Sequence, residues 1–225
     1  MGMSSPTAGE LFAHLIELTR LGSLRARSRT FARGEVVFHE GDMGDTIHLI
    51  ERGLFAVRTS TTAGRSLIIN VLATGDVFGE FAVFTAEGRR TSSVTSLAGG
   101  ATIAIERDDL RALLHDSPDL VDALLSAVVT KAENTRVRLV ELLAVPADLR
   151  VLRALLFVAA LDDSEGPVPL TQLDLASLAA TTRPTANKVL RGEEERGALR
   201  LSRGGVTILD PVRLAHRARV DRPLR

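Results

Sequence analysis

Residues 170–201 read LTQLDLASLAATTRPTANKVLRGEEERGALRL. Thr171 is placed to cap a helix, with Asp174 in the capping-box position that follows. Thr182 caps a second helix, and Pro184 falls in its first turn, where a missing N–H costs nothing. Two capped helices around the short turn Ala180-Thr181-Thr182 have helix-turn-helix spacing. Leu175, Leu178 and Ala179 suit a core-facing stripe on the first helix, and Ala186, Val189 and Leu190 do so on the second. Arg183, Thr185, Asn187, Lys188 and Arg191 are left for other faces, and no acid lies between Thr181 and Arg191. Phosphates attract Arg and Lys, while Arg, Lys, Asn and Thr hydrogen-bond base edges, so this helix is expected to enter a DNA groove. Glu193, Glu194 and Glu195 follow directly, so only its first turns should do so. Two short strands, ALRLS and VTILD, then meet at Arg203-Gly204-Gly205. That hairpin predicts a wing bringing Arg200 and Arg203 near phosphates. Pro211 opens a last basic helix.

Working back toward the N-terminus, Leu149 to Leu161 reads as an apolar helix, followed by a loop from Asp162 to Pro169 rich in acid, Gly and Pro. Ser117-Pro118 starts a longer helix, free of Gly and Pro until Val145-Pro146 ends it. Its apolar residues Leu120, Leu124, Val128, Leu139 and Leu142 recur every three to four positions, with Lys131 and Thr135 on the same stripe. Such a stripe can pack on a second copy of the chain or cover the chain's own β domain. Asp108 to Leu114 predicts a short helix. From about residue 29 to 106 the pattern is different: VVFHEGD, TIHLIERG, LFAVRTS, SLIINVLATGD, SSVTSL and ATIAIE are strand-like runs with Gly-centred punctuation. They predict an antiparallel sandwich or barrel, with Gly34, Gly41, Gly44, Gly53, Gly64, Gly75 and Gly88 where strands reverse. Residues 9–24 predict a short amphipathic helix.

The 225 residues hold no Cys, Trp or Tyr, which excludes a disulfide scaffold, Cys-ligated zinc, a thiolate-held iron–sulfur cluster and thiol catalysis. No run of about 18 apolar residues occurs and Met1 to Glu10 has no signal-peptide pattern, so a cytoplasmic protein without membrane contact is expected. The formal charge is zero, but residues 1–146 carry 15 Lys plus Arg against 18 Asp plus Glu, and residues 147–225 carry 13 against 10. The basic surplus falls on the part with the helix-turn-helix.

The segment FGEFAVFTAEGRRTSSV, residues 78–94, has Gly79-Glu80 at one end and Arg89-Arg90-Thr91-Ser92 at the other. A carboxylate there can accept from a ribose hydroxyl, and guanidinium, hydroxyl and backbone N–H groups can bind phosphate. By itself the segment fits a surface turn with a Glu–Arg pair better than a ligand site. In order along the chain, GEVVFHEGDMGDTIHLIERG, GEFAVFTAEGRRTSSV and LTQLDLASLAATTRPTANKVLRGEEERGALRL resemble the opening strands, phosphate-binding cassette and winged helix-turn-helix of the Crp/Fnr transcription regulators.

The resemblance runs from about Arg33 to Leu214 and implies an α+β chain. Residues 9–116 would form a cyclic-nucleotide-binding antiparallel β-roll of jelly-roll type, 117–145 a dimerisation helix and hinge, and 146–225 a winged helix-turn-helix. It implies that Gly79 and Glu80 contact the ribose and adjoining phosphate, and that Arg90 and Thr91 hold the cyclic phosphate. Thr135 would supply a hydroxyl to adenine, and Lys131 could pair with Glu80. Arg136 departs from the small hydroxyl residue of the enterobacterial activator, which bears on affinity or nucleotide choice. The DNA-contacting set would be Thr171, Thr182, Arg183, Thr185, Asn187, Lys188, Arg191 and Arg203, with Pro184 in place of a base-reading Glu. Cyclic AMP as effector, a homodimer, a near-palindromic double-stranded DNA site and RNA polymerase as a further partner are implied in the same way. The competing readings are the same regulator with another effector or none, a nucleotide-cleaving enzyme using Glu80 and Arg90, and an interaction module that has lost DNA binding. No catalytic or metal-ligating residues are expected, and His39 and His48 sit in strand-like segments with no short ligand spacing.

Overall fold

The computed structural model describes residues 26–62, 64, 66–162, 164 and 166–220, so the helix expected at residues 9–24 lies outside the described residues. Strands β1 (Ala26–Phe31), β2 (Val36–Phe38), β3 (Thr46–Ser60), β4 (Ser66–Leu72), β5 (Val77–Phe78) and β6 (Ser93–Glu106) form one sheet. Its order is β1-β6-β3-β4, with β2 also on β6 and β5 also on β3. β1 runs antiparallel to β6 from Ala26 opposite Ile105 to Phe31 opposite Gly100. The expected antiparallel β domain is therefore present, but two of its expected turns are not turns. TIHLIERG and LFAVRTS run on as β3, and SVTSL and ATIAIE as β6. Gly53, expected to reverse the chain, lies inside β3 at φ 92°. A Cβ there would collide with the backbone of Gly99 and Gly100. The glycine serves the close approach of two backbones, which bends paired strands without ending them.

Helix α1 (Glu80–Phe84) follows β5, α2 (Arg107–Asp116) follows β6, and α3 (Pro118–Ala144) follows α2. The described residues fall into two compact units, one within Met1–Phe55 and Leu72–Arg136, the other within Ala56–Val71 and Val137–Arg225. In the first, Ile47, Leu49, Val77, Ile103 and Ile105 pack with Leu110 of α2 and with Leu120, Ala123 and Ala127 of α3. Phe31, Phe38, His48, Phe55 and Phe78 form an aromatic group whose contacting rings have centroids 4.9–6.0 Å apart.

The stripe expected along α3 splits into two. Leu120 is buried and Leu124 half-buried against the sheet, while Val128, 38% exposed, and Leu139, 56% exposed, face solvent. Steps of four repeated along a helix of 3.6 residues per turn drift around it, so a loosely spaced set cannot stay on one face. One exposed set that keeps steps of four and three is Val121, Leu125, Val128, Ala132, Thr135 and Leu139.

In the second unit α4 (Ala147–Leu161), α5 (Gln172–Leu178), α6 (Arg183–Glu195), strands β7 (Leu199–Ser202) and β8 (Gly205–Ile208), and α7 (Pro211–Ala218) surround Val151, Leu155, Leu170, Leu175, Leu190 and Leu214, all buried. Val168 adds a bridge to Val206 at the edge of the β7–β8 hairpin. The segment Ala56–Val71 belongs to this unit and grips α5. Arg58 Nη2 donates to Asp174 Oδ1 at 2.7 Å, and Ile68 N donates to Ser177 Oγ at 2.8 Å. Burial works against the Asp174 carboxylate, but hydrogen bonds from Thr171 and Arg58 outweigh it and hold its pKa below the ordinary value. Arg150 brackets the hinge and the helix-turn-helix turn by donating to Val145 O at 2.7 Å, Ala179 O at 2.9 Å and Ala180 O at 3.2 Å.

Candidate functional site

The first candidate site gathers at Gly79-Glu80, between β5 and α1. Gly79 has φ 89°, and a Cβ there would collide with Arg90 Nη1 and Thr46 O, so only glycine allows the arginine to lie against this backbone. Arg90 is 5% exposed. Its Nη1 donates to Thr46 O at 2.8 Å and Gly79 O at 3.0 Å, and its Nη2 donates to Thr46 Oγ1 at 2.8 Å. The guanidinium lies 4.1 Å from the centre of the Phe38 ring. These bonds use both hydrogens of Nη1 and one of Nη2. They leave the second Nη2 hydrogen and Nε–H, and Nε is buried with no hydrogen-bond partner. The two remaining donors lie along one edge of the guanidinium, the edge that takes two oxygens of a phosphate side by side. An orphaned buried donor is costly, and an anion bound there would satisfy it. Burial lowers the Arg90 pKa from its ordinary value, while Asp45, Asp42 and Glu80 oppose the shift.

Lys131 on α3 reaches the same place. Its Nζ donates to Glu80 Oε1 at 2.7 Å and to Val77 O at 2.7 Å, so the pairing expected from the sequence is formed. Glu80 is 6% exposed, and the contact fixes one carboxylate oxygen beside Gly79. The other sequence-predicted residues are placed differently. Thr91 is exposed. Thr135 is exposed on α3, and its Oγ1 donates back to Lys131 O at 2.8 Å. Arg136 is exposed and paired with Glu133 at 2.5 Å.

Sequence reading missed Thr46, Phe38, Gly44 and Arg107. Thr46 and Phe38 frame the guanidinium of Arg90. A Cβ at Gly44 would strike Arg90 Nε and Ala82. Arg107 Nη2 ties Gly44 O at 2.9 Å to Ala82 O at 2.6 Å, pinning the β2–β3 loop to α1. These residues lie far from the cassette in sequence, and no local signal marks them.

His48 stacks on Phe78 at 4.9 Å and 1°, is 1% exposed, and contacts Thr102 Oγ1 through Nδ1 at 3.1 Å. Burial, then the charges of Arg90 and Arg29, lower its pKa to about 3. Between that value and the ordinary 6.5 the unfolded chain binds a proton that the folded one refuses. The stability this neutral histidine supports is therefore complete above pH 6.5 and is lost as pH falls toward 3, at about 1.4 kcal/mol per pH unit. Urea unfolding against pH should show that slope, and His48→Phe should flatten it; equal slopes in both proteins would contradict this account.

The second candidate surface is α6. Thr182 caps it by accepting from Thr185 N at 3.3 Å, and Thr171 and Asp174 form the expected capping box on α5. Ala180, at φ 46°, makes the turn between the helices. Arg183, Lys188 and Arg191 are exposed on α6, and none of them is held in an ion pair among the described residues. Asn187 lies on the same face, half-buried, with Oδ1 covered and unpartnered. Thr185 is half-buried, its hydroxyl 2.9 Å from that of Thr182. Arg203 is exposed at the tip of the β7–β8 hairpin. Two of the three acids that follow are engaged within the domain. Glu193, 1% exposed, accepts from Arg217 at 2.6 Å and Arg196 at 3.3 Å, and Glu194 accepts from Leu201 N at 2.7 Å. Among the described residues no helix is long and apolar enough to cross a membrane.

Residues 28–117 match the family described as the cyclic nucleotide-binding domain, and residues 149–217 match the Crp-like helix-turn-helix domain. A β domain of the nucleotide-binding kind joined to such a helix-turn-helix defines a transcription regulator. The chain belongs to the Crp/Fnr family. It is 33% identical over 195 residues to the CRP-like cAMP-activated global transcriptional regulator of Mycobacterium tuberculosis, covering 84% of this chain and 87% of that one. It is 28% identical to the cyclic AMP receptor protein of Thermus thermophilus, covering 80% of this chain and 82% of that one. The fold matches that of FixK2 from Bradyrhizobium japonicum with a TM-score of 0.73 at 16% identity, over 86% of this chain and 97% of the other.

Proposed function

We propose that this regulator is a homodimer controlled by cyclic AMP. The observation that carries the reading is the unpartnered Nε of Arg90, buried beside Gly79 and the Glu80–Lys131 pair. A cyclic phosphate would take that edge, Thr91 would add a hydroxyl from the loop, and the ribose would lie against Gly79 and Glu80. The relatives from Mycobacterium tuberculosis and Thermus thermophilus are described as cAMP-activated and as a cyclic AMP receptor, which favours cyclic AMP among the nucleotides with this chemistry. The exposed row Val121, Leu125, Val128, Ala132, Thr135 and Leu139 suits a second α3, because its spacing keeps one seam facing a partner helix. In such a dimer Thr135 would lie near the base, with Arg136 beside it as the residue most able to alter nucleotide choice.

Ligand acts by favouring one α3 arrangement over another, and only a difference in its affinity for the two states can do so. Two recognition helices about 34 Å apart would then enter successive major grooves of a near-palindromic site. RNA polymerase would be met on that DNA. Gel shifts on a selected near-palindromic site are expected to show tighter binding with cyclic AMP than without. Equal affinity in both would remove the switch, and calorimetry with cyclic GMP and cyclic di-GMP would show whether another nucleotide takes its place.

A further inference from the structure

His48 is buried at the heart of the aromatic group, yet it carries two polar atoms that a phenylalanine in the same place would lack. Both are used. Nε2 lies 3.3 Å from Thr46 Oγ1, and Nδ1 lies 3.1 Å from Thr102 Oγ1. Thr46 Oγ1 in turn accepts from Arg90 Nη2 at 2.8 Å. A hydroxyl that accepts from a guanidinium still has its own hydrogen to donate, and His48 Nε2 can receive it. With its proton on Nδ1, His48 then donates to Thr102 Oγ1, and Thr102 is itself fully buried. The row Thr102–His48–Thr46–Arg90 is thereby satisfied from end to end in one tautomer, and each bond polarises the next in the same direction.

The row has a consequence for the arginine. Thr46 holds Arg90 by two atoms, its carbonyl on Nη1 and its hydroxyl on Nη2, and so sets the plane of the guanidinium. The plane decides where the free Nε–Nη2 edge points. Without the hydroxyl only Nη1 is anchored, and the group can swing about that end. The His48 ring, stacked on Phe78 immediately before Gly79, cannot rotate to release Thr46. Burial, then the positive charges of Arg90 and Arg29, keep the ring neutral, so one of its nitrogens is an acceptor, and the tautomer with the proton on Nδ1 makes that nitrogen Nε2.

We infer that His48 and Thr46 are positioning residues for the anion site: the chain Thr102–His48–Thr46 fixes the plane of Arg90 so that its unpartnered edge is aimed at a phosphate. The inference rests on the reading of Arg90 as the phosphate-binding residue.

The test is calorimetry on the full-length protein, with cyclic AMP as one probe and adenosine, which lacks the phosphate, as the other. His48→Phe keeps the ring stack and removes the chain; Thr46→Val keeps the shape and removes the hydroxyl. Each is expected to weaken cyclic AMP binding about tenfold, the worth of one hydrogen bond to a charged group, with adenosine affinity unchanged. Thr46→Ser restores the hydroxyl and should bind within about twofold of the natural protein. The double variant should be no weaker than the worse single one, because both break one chain. Natural affinity in both single variants, with binding lost in Arg90→Ala, would overturn the inference and leave the phosphate site standing. Equal loss for cyclic AMP and adenosine would also overturn it, reducing the row to packing. No heat from the natural, folded protein with cyclic AMP would remove the nucleotide reading itself, and the role of His48 with it.

Discussion

Arg90→Ala is expected to weaken cyclic AMP binding by at least about a hundredfold. Two charge-assisted hydrogen bonds along one guanidinium edge are worth about 3–6 kcal/mol in total, and about 2.7 kcal/mol already corresponds to that factor. The substitution also leaves Thr46 O and Gly79 O without their donor. Arg90→Lys tests geometry against charge, since an ammonium at this position keeps the charge but has no planar edge and should recover only part of the affinity. Calorimetry on the folded variants gives the result directly. The stabilisation that saturating cyclic AMP confers on the natural protein in thermal unfolding should disappear in Arg90→Ala, because only ligand that binds the native state can stabilise it. Undiminished binding in that variant would place the phosphate elsewhere.

The helix-turn-helix was legible because its signals are local. Thr171 with Asp174, and Thr182 with Pro184, cap their own helices within a few residues, and the observed helices start where those caps place them. The cassette was legible in part. Glu80 and Arg90 sit in one short segment, but the groups that orient Arg90 come from Phe38, Gly44 and Thr46 on other strands and loops, and their pattern in the sequence is that of ordinary strand and turn residues. Gly53 shows the limit of reading turns. Glycine marks both a reversal and a close backbone approach, and only the opposing Gly99-Gly100 distinguishes the two. On α3 the apolar residues serve two surfaces, so a stripe drawn on spacing alone mixes Leu120, which faces the sheet, with Leu139, which does not. The contact of Arg58 with Asp174 spans more than a hundred residues and follows from tertiary packing alone.

Arg183→Ala is expected to cost specific DNA binding about 1–3 kcal/mol in each half-site if the side chain reads a base, and so about twice that in a dimer. The structure gives Arg183 the place for it: the first residue of α6, exposed, beside the Thr182 cap and with no acid in the first turn. Lys188, five residues further along α6 and also exposed, suits a phosphate. Lys188→Ala should weaken binding to all sequences alike and lower the slope of log affinity against log salt by about 1 per half-site. Arg203→Ala, at the hairpin tip, should behave as Lys188→Ala does. Most of the acidic run that follows is kept from opposing this, because Glu193 is buried against Arg217 and Glu194 is spent on the β7 backbone, leaving only Glu195 exposed. The helix thus presents positive charge at its N-terminal end and keeps two of its three consecutive acids turned inward. Fluorescence anisotropy on selected and scrambled duplexes between about 50 and 200 mM salt separates the roles. A loss in Arg183→Ala that is equal on both duplexes would make it a phosphate contact, and a salt slope unchanged in Lys188→Ala would remove that residue from the interface.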